Sequence, residues 1–581
     1  MSAVSVTATI APGRRQLVNV RRELLLTAKM RVVWLLVLFG VIASAALFRI
    51  VLLGALQPAS SSQSMQDALL PARGDIVDRN GVALARAFPA YALWFNPKAM
   101  GDGGAPLVKT PAEVAAALLH IFPDEDLAKL TARLASGEAG YIRRRILPEE
   151  ANRVHALGEP ALESPFENER LYPQGSMAAH VLGFVASDHH GQVGMEQVYD
   201  KQLTDPLTRG TPAMLSLDMR VQGALEDELE RGIRDTHAVG AAGIVLDVDS
   251  GEVLALASLP SFNPNLIDTA GEANIFNRFT NQVYELGSTF KPITIAAAID
   301  AGVVTDLSRR YPAGKPLKVG DREIHDSHYL GESLNIPEAL IHSSNIVTAQ
   351  VADQLGGVKL NATMRSLGMN ERPYIELPAK GFPIWPRGDA NGEWSRITTM
   401  TVSYGHGISV TPLHLACAYA ALVNGGVWRP ATLEKLAPGA EPVGRRVFKA
   451  STSARIRQLL RMIVVDGTGK QANADGFRVG GKTGSAEKKL QGTNGYSKTS
   501  LVATFAAAFP MDHPRYVVIA MLDEPQGTAA TSGQRTAAWN VAPIVGRVVP
   551  RIGPLLGIMP DDSRDIDISD LSPLVGKGAV E

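Results

Sequence analysis

The sequence contains very little cysteine and no excess of either charge. Its 581 residues include one cysteine, Cys417, and a lone thiol makes no internal disulfide. Lysine and arginine total 57 against 58 aspartate and glutamate, so the net charge of -1 gives no reason to expect nucleic acid as a partner. His180, His189 and His190 follow no metal-ligand spacing. These shortages argue against a disulfide framework, a nucleic-acid binder and a histidine metal centre.

The N-terminal region carries a long apolar run. Residues 32–48, VVWLLVLFGVIASAALF, contain no charge, and the apolar stretch IVLLGAL follows Arg49. About 17–25 apolar residues span a bilayer, and the basic residues before the run favour a cytoplasmic N-terminus. We therefore expect an uncleaved transmembrane helix over 32–53, with 1–31 in the cytoplasm and the rest of the chain outside it. The alternative is a cleaved signal peptide, because residues 43–45 are small.

The rest of the chain is too long for one ordinary domain, and its composition of 45% hydrophobic and 20% charged residues is typical of globular proteins. AGIVLDV and EVLALAS flank the turn at 249–251 and predict a hairpin. A mostly helical stretch, 284–470, separates this hairpin from three strand-like segments, 477–486, 500–509 and 515–522. The order predicts an α+β domain with one antiparallel sheet built from both ends of the segment. The acidic, polar residues 561–581 predict a mobile tail.

Ser288 and Lys291 stand three residues apart at the start of the apolar run ITIAAAI. At this spacing both side chains share one face of a helix, and Pro292 is tolerated in a first turn. Serine is a poor nucleophile without a base, and a neutral lysine can be that base. Lowering the pKa of a lysine from about 10.4 to 7 costs roughly 4.6 kcal/mol. Burial alone shifts lysine pKa values by about 3–5 units, so the apolar surroundings are suitable.

A serine–lysine pair is a weak pattern by itself, since it recurs at Ser485 and Lys488 without a following helix. Two companions strengthen the first pair. Ser343-Ser344-Asn345 follows a short helical stretch, and Lys482-Thr483-Gly484 lies in a predicted strand. Further Ser-x-Asn patterns occur at 261–263, before the pair, and at 333–335, which suits a helix cap before a proline.

Residues 476–483 also match the phosphate-binding loop pattern G-x-x-x-x-G-K-T. Such a loop needs a strand before it and a helix that opens at the threonine. Here Phe477 and Val479, which favour a strand, lie inside the supposed loop, and the residues after Thr483 are polar and rich in glycine. Nucleotide binding therefore remains a much weaker interpretation.

The three motifs together resemble those of the penicillin-recognising acyltransferases, which include serine β-lactamases, D-alanyl-D-alanine peptidases and penicillin-binding proteins. Further stretches look like class B penicillin-binding proteins: RGDIVDRNG (73–81), RLYPQGSMAAHVLGF (170–184), GQVGMEQVYD (191–200), SGEVLALASLPSFNPN (250–265), YELGSTFKP (284–292), YGHGISVTPL (404–413) and DGTGKQA (466–472). The resemblance implies a membrane anchor, an elongated N-terminal pedestal over 57–235 and an α+β transpeptidase domain over 236–560. We expect the DRNG segment to pack the pedestal against that domain.

The resemblance also implies the roles of the residues in the first two motifs. Ser288 is expected to attack the carbonyl of the D-alanyl-D-alanine bond, and Lys291 to take its proton. Ser343 is expected to relay a proton to the leaving D-alanine, and Asn345 to orient both Lys291 and the substrate amide.

The third motif is expected to bind the substrate. Lys482 and Thr483 would hold its carboxylate, and Gly484 would let the peptide lie close against the strand. The backbone N–H groups of Ser288 and Ser485 would form an oxyanion hole, although relatives often carry threonine at the position of Ser485. The resemblance implies no metal or cofactor.

The expected partners follow from the family. They are peptidoglycan stem peptides, β-lactam antibiotics, a membrane glycan polymerase of the septal type and other divisome proteins. Three features favour the division-specific branch: Asn345 where elongation-type relatives often have aspartate, a pedestal without the larger insertions expected of the elongation type, and the C-terminal stretch at 551–561. A cell-wall elongation enzyme, a penicillin sensor and an inactive scaffold remain alternatives, and a β-lactamase would need an activated water that one sequence does not identify.

Overall fold

The computed structural model describes residues 26, 28–45, 47, 49, 72–101, 105–186, 189–389, 392–440, 442–489 and 496–576. The N-terminal helix Ala28–Ala45 is fully exposed and is long and apolar enough to cross a membrane. This agrees with the predicted anchor, although most of residues 1–31 and 50–53 fall outside the described part of the chain. This helix and the chain from residue 72 onward are separate units and are described separately.

The pedestal is built on a mixed sheet covered by short helices. The long strand β2 pairs antiparallel with β1, β3, β4 and β5, and β1 pairs parallel with β6. Helix α1 begins at a capping box, in which Thr110 and Glu113 exchange side-chain and backbone hydrogen bonds. The elements are β1 (Ile76–Val77), β2 (Ala83–Phe95), α1 (Pro111–Leu119), α2 (Leu127–Ala135), β3 (Gly140–Ile146), α3 (Pro148–His155), β4 (Leu162–Glu163), β5 (Phe166–Leu171), α4 (Ala179–Leu182), α5 (Gly194–Val198), α6 (Asp200–Thr204) and β6 (Ala213–Met214).

A buried ion cluster joins three of the sequence motifs of the pedestal. Glu196 is fully buried, and its carboxylate accepts hydrogen bonds from Arg73 at 2.8 Å and from Arg170 at 2.7 Å. Arg73 also donates to Asp200 at 2.7 Å. A buried carboxylate without partners is costly, so the two arginines are needed to compensate it. The motifs around these residues are therefore structural.

The DRNG turn lies where the pedestal meets the second domain, as expected. Asp78 accepts hydrogen bonds from the backbone of Val82 at 2.8 Å and of Met219 at 3.2 Å. Arg79 pairs with Glu252 at 3.4 Å, and its carbonyl accepts a hydrogen bond from Lys435 at 2.9 Å. These contacts tie the turn to the helix and strands that open the second domain.

The second domain contains the predicted antiparallel sheet, with strands in the order β15-β16-β17-β7-β8. Strands β7 and β8 form the predicted hairpin, and β17 pairs with β7, from Tyr516 opposite Asp247 to Asp523 opposite Gly240. The strands are β7 (Gly240–Asp247), β8 (Val253–Leu259), β9 (Tyr311–Pro312), β10 (Leu317–Val319), β11 (Arg322–Ile324), β12 (Ser333–Leu334), β13 (Val427–Trp428), β14 (Arg445–Arg446), β15 (Gly480–Lys489), β16 (Tyr496–Phe509) and β17 (Tyr516–Asp523).

Helices cover both faces of this sheet, which explains why β17 is a continuous apolar run and does not alternate. Neighbouring residues of β7 serve different cores: Ile244 and Leu246 face one hydrophobic cluster, and Val245 faces the other. The helices are α7 (Met219–Thr236), α8 (Glu272–Ile275), α9 (Lys291–Asp300), α10 (Ile336–Ile341), α11 (Asn345–Leu355), α12 (Gly357–Ser366), α13 (Arg396–Ser403), α14 (Pro412–Val423), α15 (Ala450–Asp466), α16 (Ala537–Asn540) and α17 (Ala542–Ile552).

The C-terminal segment differs from its prediction as a mobile tail. Residues 561–576 pack along α15, where Arg461 pairs with Asp565 at 2.6 Å and Gln458 donates to the Asp567 carbonyl at 2.6 Å. Leu571 is only 1% exposed. Two of the acidic residues that suggested mobility, Asp565 and Asp570, pair with arginines on α15, and the apolar residues of the segment are partly or fully buried against the core. Residues 577–581 lie outside the described part.

Candidate active site

The catalytic turn is a short 3₁₀ helix, Gly287–Phe290, that runs directly into α9. Ser288 is half-buried in this turn, and Lys291 is the first residue of α9. The turn is supported from below, because the Tyr419 hydroxyl on α14 donates to the Thr289 carbonyl at 2.9 Å. The nucleophile expected from the sequence therefore sits at the N-terminal end of a buried helix, where the free N–H groups favour negative charge.

Lys291 is fully buried, and its ammonium nitrogen reaches the turn that carries Ser343. Its Nζ donates to the Ser343 carbonyl and lies 3.1 Å from the Ser343 Oγ. Burial holds the pKa of Lys291 well below its usual range, and the positive charge of Lys482 lowers it further. The carboxylate of Asp326 acts in the opposite direction. A lysine of lowered pKa is suited to accept a proton from Ser288.

Lys482 approaches the same serine from strand β15. Its Nζ donates to Ser343 Oγ at 2.9 Å and to Thr483 Oγ1 at 3.3 Å. Burial lowers the pKa of Lys482 to about 7. Thr483 Oγ1 is also 2.9 Å from the hydroxyl of Thr468, which follows α15. Two buried amines thus meet at one hydroxyl, and an anionic substrate would be needed to compensate them when both are charged.

Ser343 occupies a strained backbone position between α10 and α11. Its φ of 63° lies in the left-handed region, which residues other than glycine rarely adopt. Strain of this kind clusters at functional sites, where surrounding contacts enforce it. Ser344 caps α11 by accepting the Val347 N–H at 3.1 Å. The turn therefore presents the Ser343 hydroxyl to both lysines.

Asp326, which the sequence analysis missed, fixes this turn. Its carboxylate accepts hydrogen bonds from Ser344 Oγ at 2.7 Å, from the Asn345 N–H at 2.5 Å and from the Ile346 N–H at 3.1 Å. Asp326 precedes the turn by many residues in the chain, so no local pattern marks it. Its three contacts form only when the loop after β11 packs on the start of α11.

The side chain of Asn345 differs from its expected role. We expected it to orient Lys291, but its Nδ2 donates to the His325 carbonyl at 2.9 Å. Lys291 instead donates its hydrogen bonds to Ser343. Asn345 therefore anchors the loop that carries Asp326.

Gly484 and Ser485 lie directly beside the catalytic turn. A Cβ atom added at Gly484 would meet the Leu286 carbonyl at 2.5 Å, and one added at Gly287 would meet the Ser485 carbonyl at 3.2 Å. We expected a glycine at position 484 because the substrate peptide needs space there. The structure shows a different reason, which is that a side chain at this position would collide with the catalytic turn. Because Gly287 directly precedes Ser288, this contact places the catalytic turn beside Ser485, an arrangement compatible with the expected oxyanion hole.

The competing motifs occupy other places. The Ser485 hydroxyl accepts the Ala537 N–H at 3.0 Å, and Lys488 pairs with Asp523 at 2.8 Å and Glu524 at 2.7 Å. The Gly-Lys-Thr sequence forms part of strand β15, so the helix that a phosphate-binding loop needs is missing after Thr483. The second serine–lysine pair and the nucleotide-binding interpretation are therefore not supported.

Comparisons with known proteins agree with this geometry. Residues 241–545 match the family described as the penicillin binding protein transpeptidase domain, and residues 68–231 match the penicillin-binding protein dimerisation domain. The chain is 39% identical to the probable peptidoglycan D,D-transpeptidase FtsI of Caulobacter vibrioides, over 84% of this chain and 82% of that protein. It is 30% identical to the peptidoglycan D,D-transpeptidase FtsI of Escherichia coli K12, over 84% of each chain.

Solved structures show the same fold. The crystal structure of penicillin binding protein 3 from Mycobacterium tuberculosis, complexed with aztreonam, superposes with a TM-score of 0.66 at 24% identity. The alignment covers 85% of this chain and 98% of that one. The likeness therefore includes both the pedestal and the domain that carries Ser288.

Proposed function

This chain belongs to the class B penicillin-binding proteins, a family of serine-type peptidoglycan D,D-transpeptidases, and we propose that it cross-links peptidoglycan stem peptides through an acyl enzyme on Ser288. The observation that carries the proposal is the convergence of two buried lysines of lowered pKa, Lys291 and Lys482, on the hydroxyl of Ser343 next to the catalytic turn. β-Lactams would acylate the same serine.

In the acylation step, the Oγ of Ser288 attacks the carbonyl carbon of the terminal D-alanyl-D-alanine bond, and neutral Lys291 takes the proton of that hydroxyl. The negative charge that develops on the carbonyl oxygen is stabilised by the N–H groups of Ser288 and Ser485. Loss of one such donor typically costs 10²–10³-fold in rate. The carbon–nitrogen bond then breaks, and the leaving D-alanine nitrogen receives the proton from Lys291 through the hydroxyl of Ser343.

Lys482 and Thr483 hold the terminal carboxylate of the substrate. Burial lowers the pKa of Lys482 to about 7. A bound carboxylate stabilises the charged form of the lysine, so binding of the substrate and protonation of Lys482 favour each other. The reaction is completed when an amine of a neighbouring stem peptide attacks the acyl carbonyl and releases Ser288.

The test is mass spectrometry of the products formed from lipid-linked precursor by the full-length protein with a partner glycan polymerase. Cross-linked dimers are expected, and Ser288→Ala should abolish both the dimers and covalent labelling by fluorescent penicillin, with the melting temperature nearly unchanged. Penicillin labelling without dimers would favour a sensor or scaffold. Released monomeric acids in place of dimers would favour a hydrolase.

The cellular role that we propose is septal, and it rests on the FtsI relatives and on Asn345 in the second motif. The N-terminal helix would anchor the protein in the inner membrane, with the catalytic domain in the periplasm. The expected partners there are a membrane glycan polymerase of the septal type and other divisome proteins.

Depletion of the protein in cells that normally produce it distinguishes a septal role from a role in elongation. A septal enzyme should leave filaments with uncut constrictions, and a fluorescent fusion should gather at midcell late in the cycle. Rounded cells with a dispersed side-wall signal would assign the protein to elongation, with the chemistry at Ser288 unchanged.

A further inference from the structure

The segment 404–409 lies against the catalytic turn and carries a histidine that the mechanism above does not use. The Gly287 N–H donates to the Gly405 carbonyl at 3.3 Å, and a Cβ atom added at Gly405 would lie 2.2 Å from the Gly287 carbonyl. His406 follows Gly405 directly. The two backbones are therefore packed without a gap, and His406 is held next to the residue that precedes the nucleophile.

Charged groups from three elements influence His406. Glu285 precedes the catalytic turn and accepts the Gly407 N–H at 3.2 Å, Lys291 begins α9, and Glu487 lies on β15. The charges of all three act on the pKa of His406, which burial lowers below its usual range. Within its own segment, the His406 ring stands 5.2 Å from the ring of Tyr404. Burial therefore favours the neutral form of the imidazole, which also hydrogen-bonds the Tyr404 backbone within its own segment.

The transfer step releases one proton more than Lys291 carries. The attacking amine arrives as an ammonium ion with three protons, and the new amide keeps one of them. The second passes through Lys291 to Ser288 Oγ when the carbon–oxygen bond of the acyl enzyme breaks. The third must leave before the attack, because an ammonium nitrogen has no lone pair. Lys291 cannot hold both protons at once, so the third passes either to solvent or to a second base in the site, and near neutral pH a positioned base makes this step faster.

We propose that His406 is the catalytic residue that takes this proton from the acceptor amine. The inference rests on the proposed transpeptidase function and concerns only its second half. The carboxylates of Glu285 and Glu487 attract the incoming ammonium group, and His406 accepts its proton. The neutral amine then forms its bond to the acyl carbon as the bond to Ser288 breaks.

The test compares His406→Gln with the wild-type full-length protein in detergent. A thioester donor that ends in D-alanyl-thioglycolate acylates Ser288, and D-alanine serves as the acceptor amine. Mass spectrometry separates the hydrolysed acid from the D-alanine adduct across a series of pH values. His513→Gln is the matched control, because His513 is exposed in the turn between β16 and β17.

The expected result is a selective loss. His406→Gln should be acylated at the wild-type rate. At pH 7 it should form the D-alanine adduct about 10²-fold more slowly, which is the lower end of the rate effect of a general base. The deficit should shrink at alkaline pH, where the amine loses its proton to water. An unchanged adduct rate, an equal loss in acylation, or a deficit that persists at alkaline pH would each overturn the inference. None of these outcomes affects Ser288, whose own variant tests the proposed function separately.

Discussion

Asp326 offers the sharpest test of how the site is held together. The change to asparagine keeps the size of the side chain and one carbonyl oxygen, so the contacts with the Asn345 and Ile346 N–H groups can persist. What it removes is the negative charge. Hydrogen bonds to a charged group are worth about 1.5–3 kcal/mol and neutral ones about 0.5–1.5, so we expect a loss of about 1 kcal/mol of stability.

The same change has a defined sign in the pH profile. The Asp326 charge raises the pKa of Lys291, so its removal lowers that pKa further. Lys291 acts as a base only when neutral, which is above its pKa. The acid limb of the acylation rate should therefore move to lower pH in Asp326→Asn.

Asp326→Ala goes further, because it leaves two partly buried N–H groups and the Ser344 hydroxyl without their acceptor. We expect a loss of about 2–3 kcal/mol of stability and roughly 10²-fold slower acylation, since displacement of a positioned group by about 1 Å has a cost of that size. The assays are the acylation rate with fluorescent penicillin from pH 5 to 9 and the melting temperature. An acid limb that moves to higher pH in Asp326→Asn, or wild-type acylation in Asp326→Ala, would contradict the reasoning.

Three further changes test other parts of the structure. Lys291→Ala should slow penicillin acylation by about 10³-fold or more, because it removes the base and leaves a cavity. Lys488→Ala should leave the acylation rate unchanged, because Lys488 forms ion pairs with Asp523 and Glu524. If Lys488 were essential and Lys291 dispensable, the catalytic serine–lysine pair would have been chosen wrongly. Leu571→Ala should lower stability by about 2–4 kcal/mol, seen as a lower melting temperature, because Leu571 is buried in the core. Acylation at 25 °C should stay within about twofold, because Leu571 lines a cavity with Ile299 at the end of α9, away from Ser288.

The sequence predicted the sheet because its strands carry strong local patterns. The hairpin around 249–251 and the apolar run of β17 each need no tertiary information to be found. The order of Ser288, Ser343 and Lys482 matches a family pattern, and the structure brings the three motifs together around Ser343. What the patterns could not supply is the set of contacts between distant loops and helices.

Asp326 and Tyr419 illustrate this limit. Both are ordinary residues in their local sequence, and they become supports of the site only when a loop or a helix packs against the catalytic segments. The C-terminal segment failed for a related reason. Its acidic composition is typical of disorder, and only the position of Arg461 opposite Asp565 turns those charges into an attachment.

The pairing of β17 with β7 has a consequence for biosynthesis. The centre of the sheet joins Tyr516 to Asp247, so its two halves leave the ribosome far apart in time. Contacts of such long sequence separation slow folding and leave unpaired strand edges exposed meanwhile. The nascent domain therefore holds Ser288 and Lys291 long before Lys482 can join them. A chain interrupted before β17 would carry Ser288 without a firmly placed oxyanion hole. Its open sheet edge would be exposed to proteases before Ser288 became reactive toward an antibiotic.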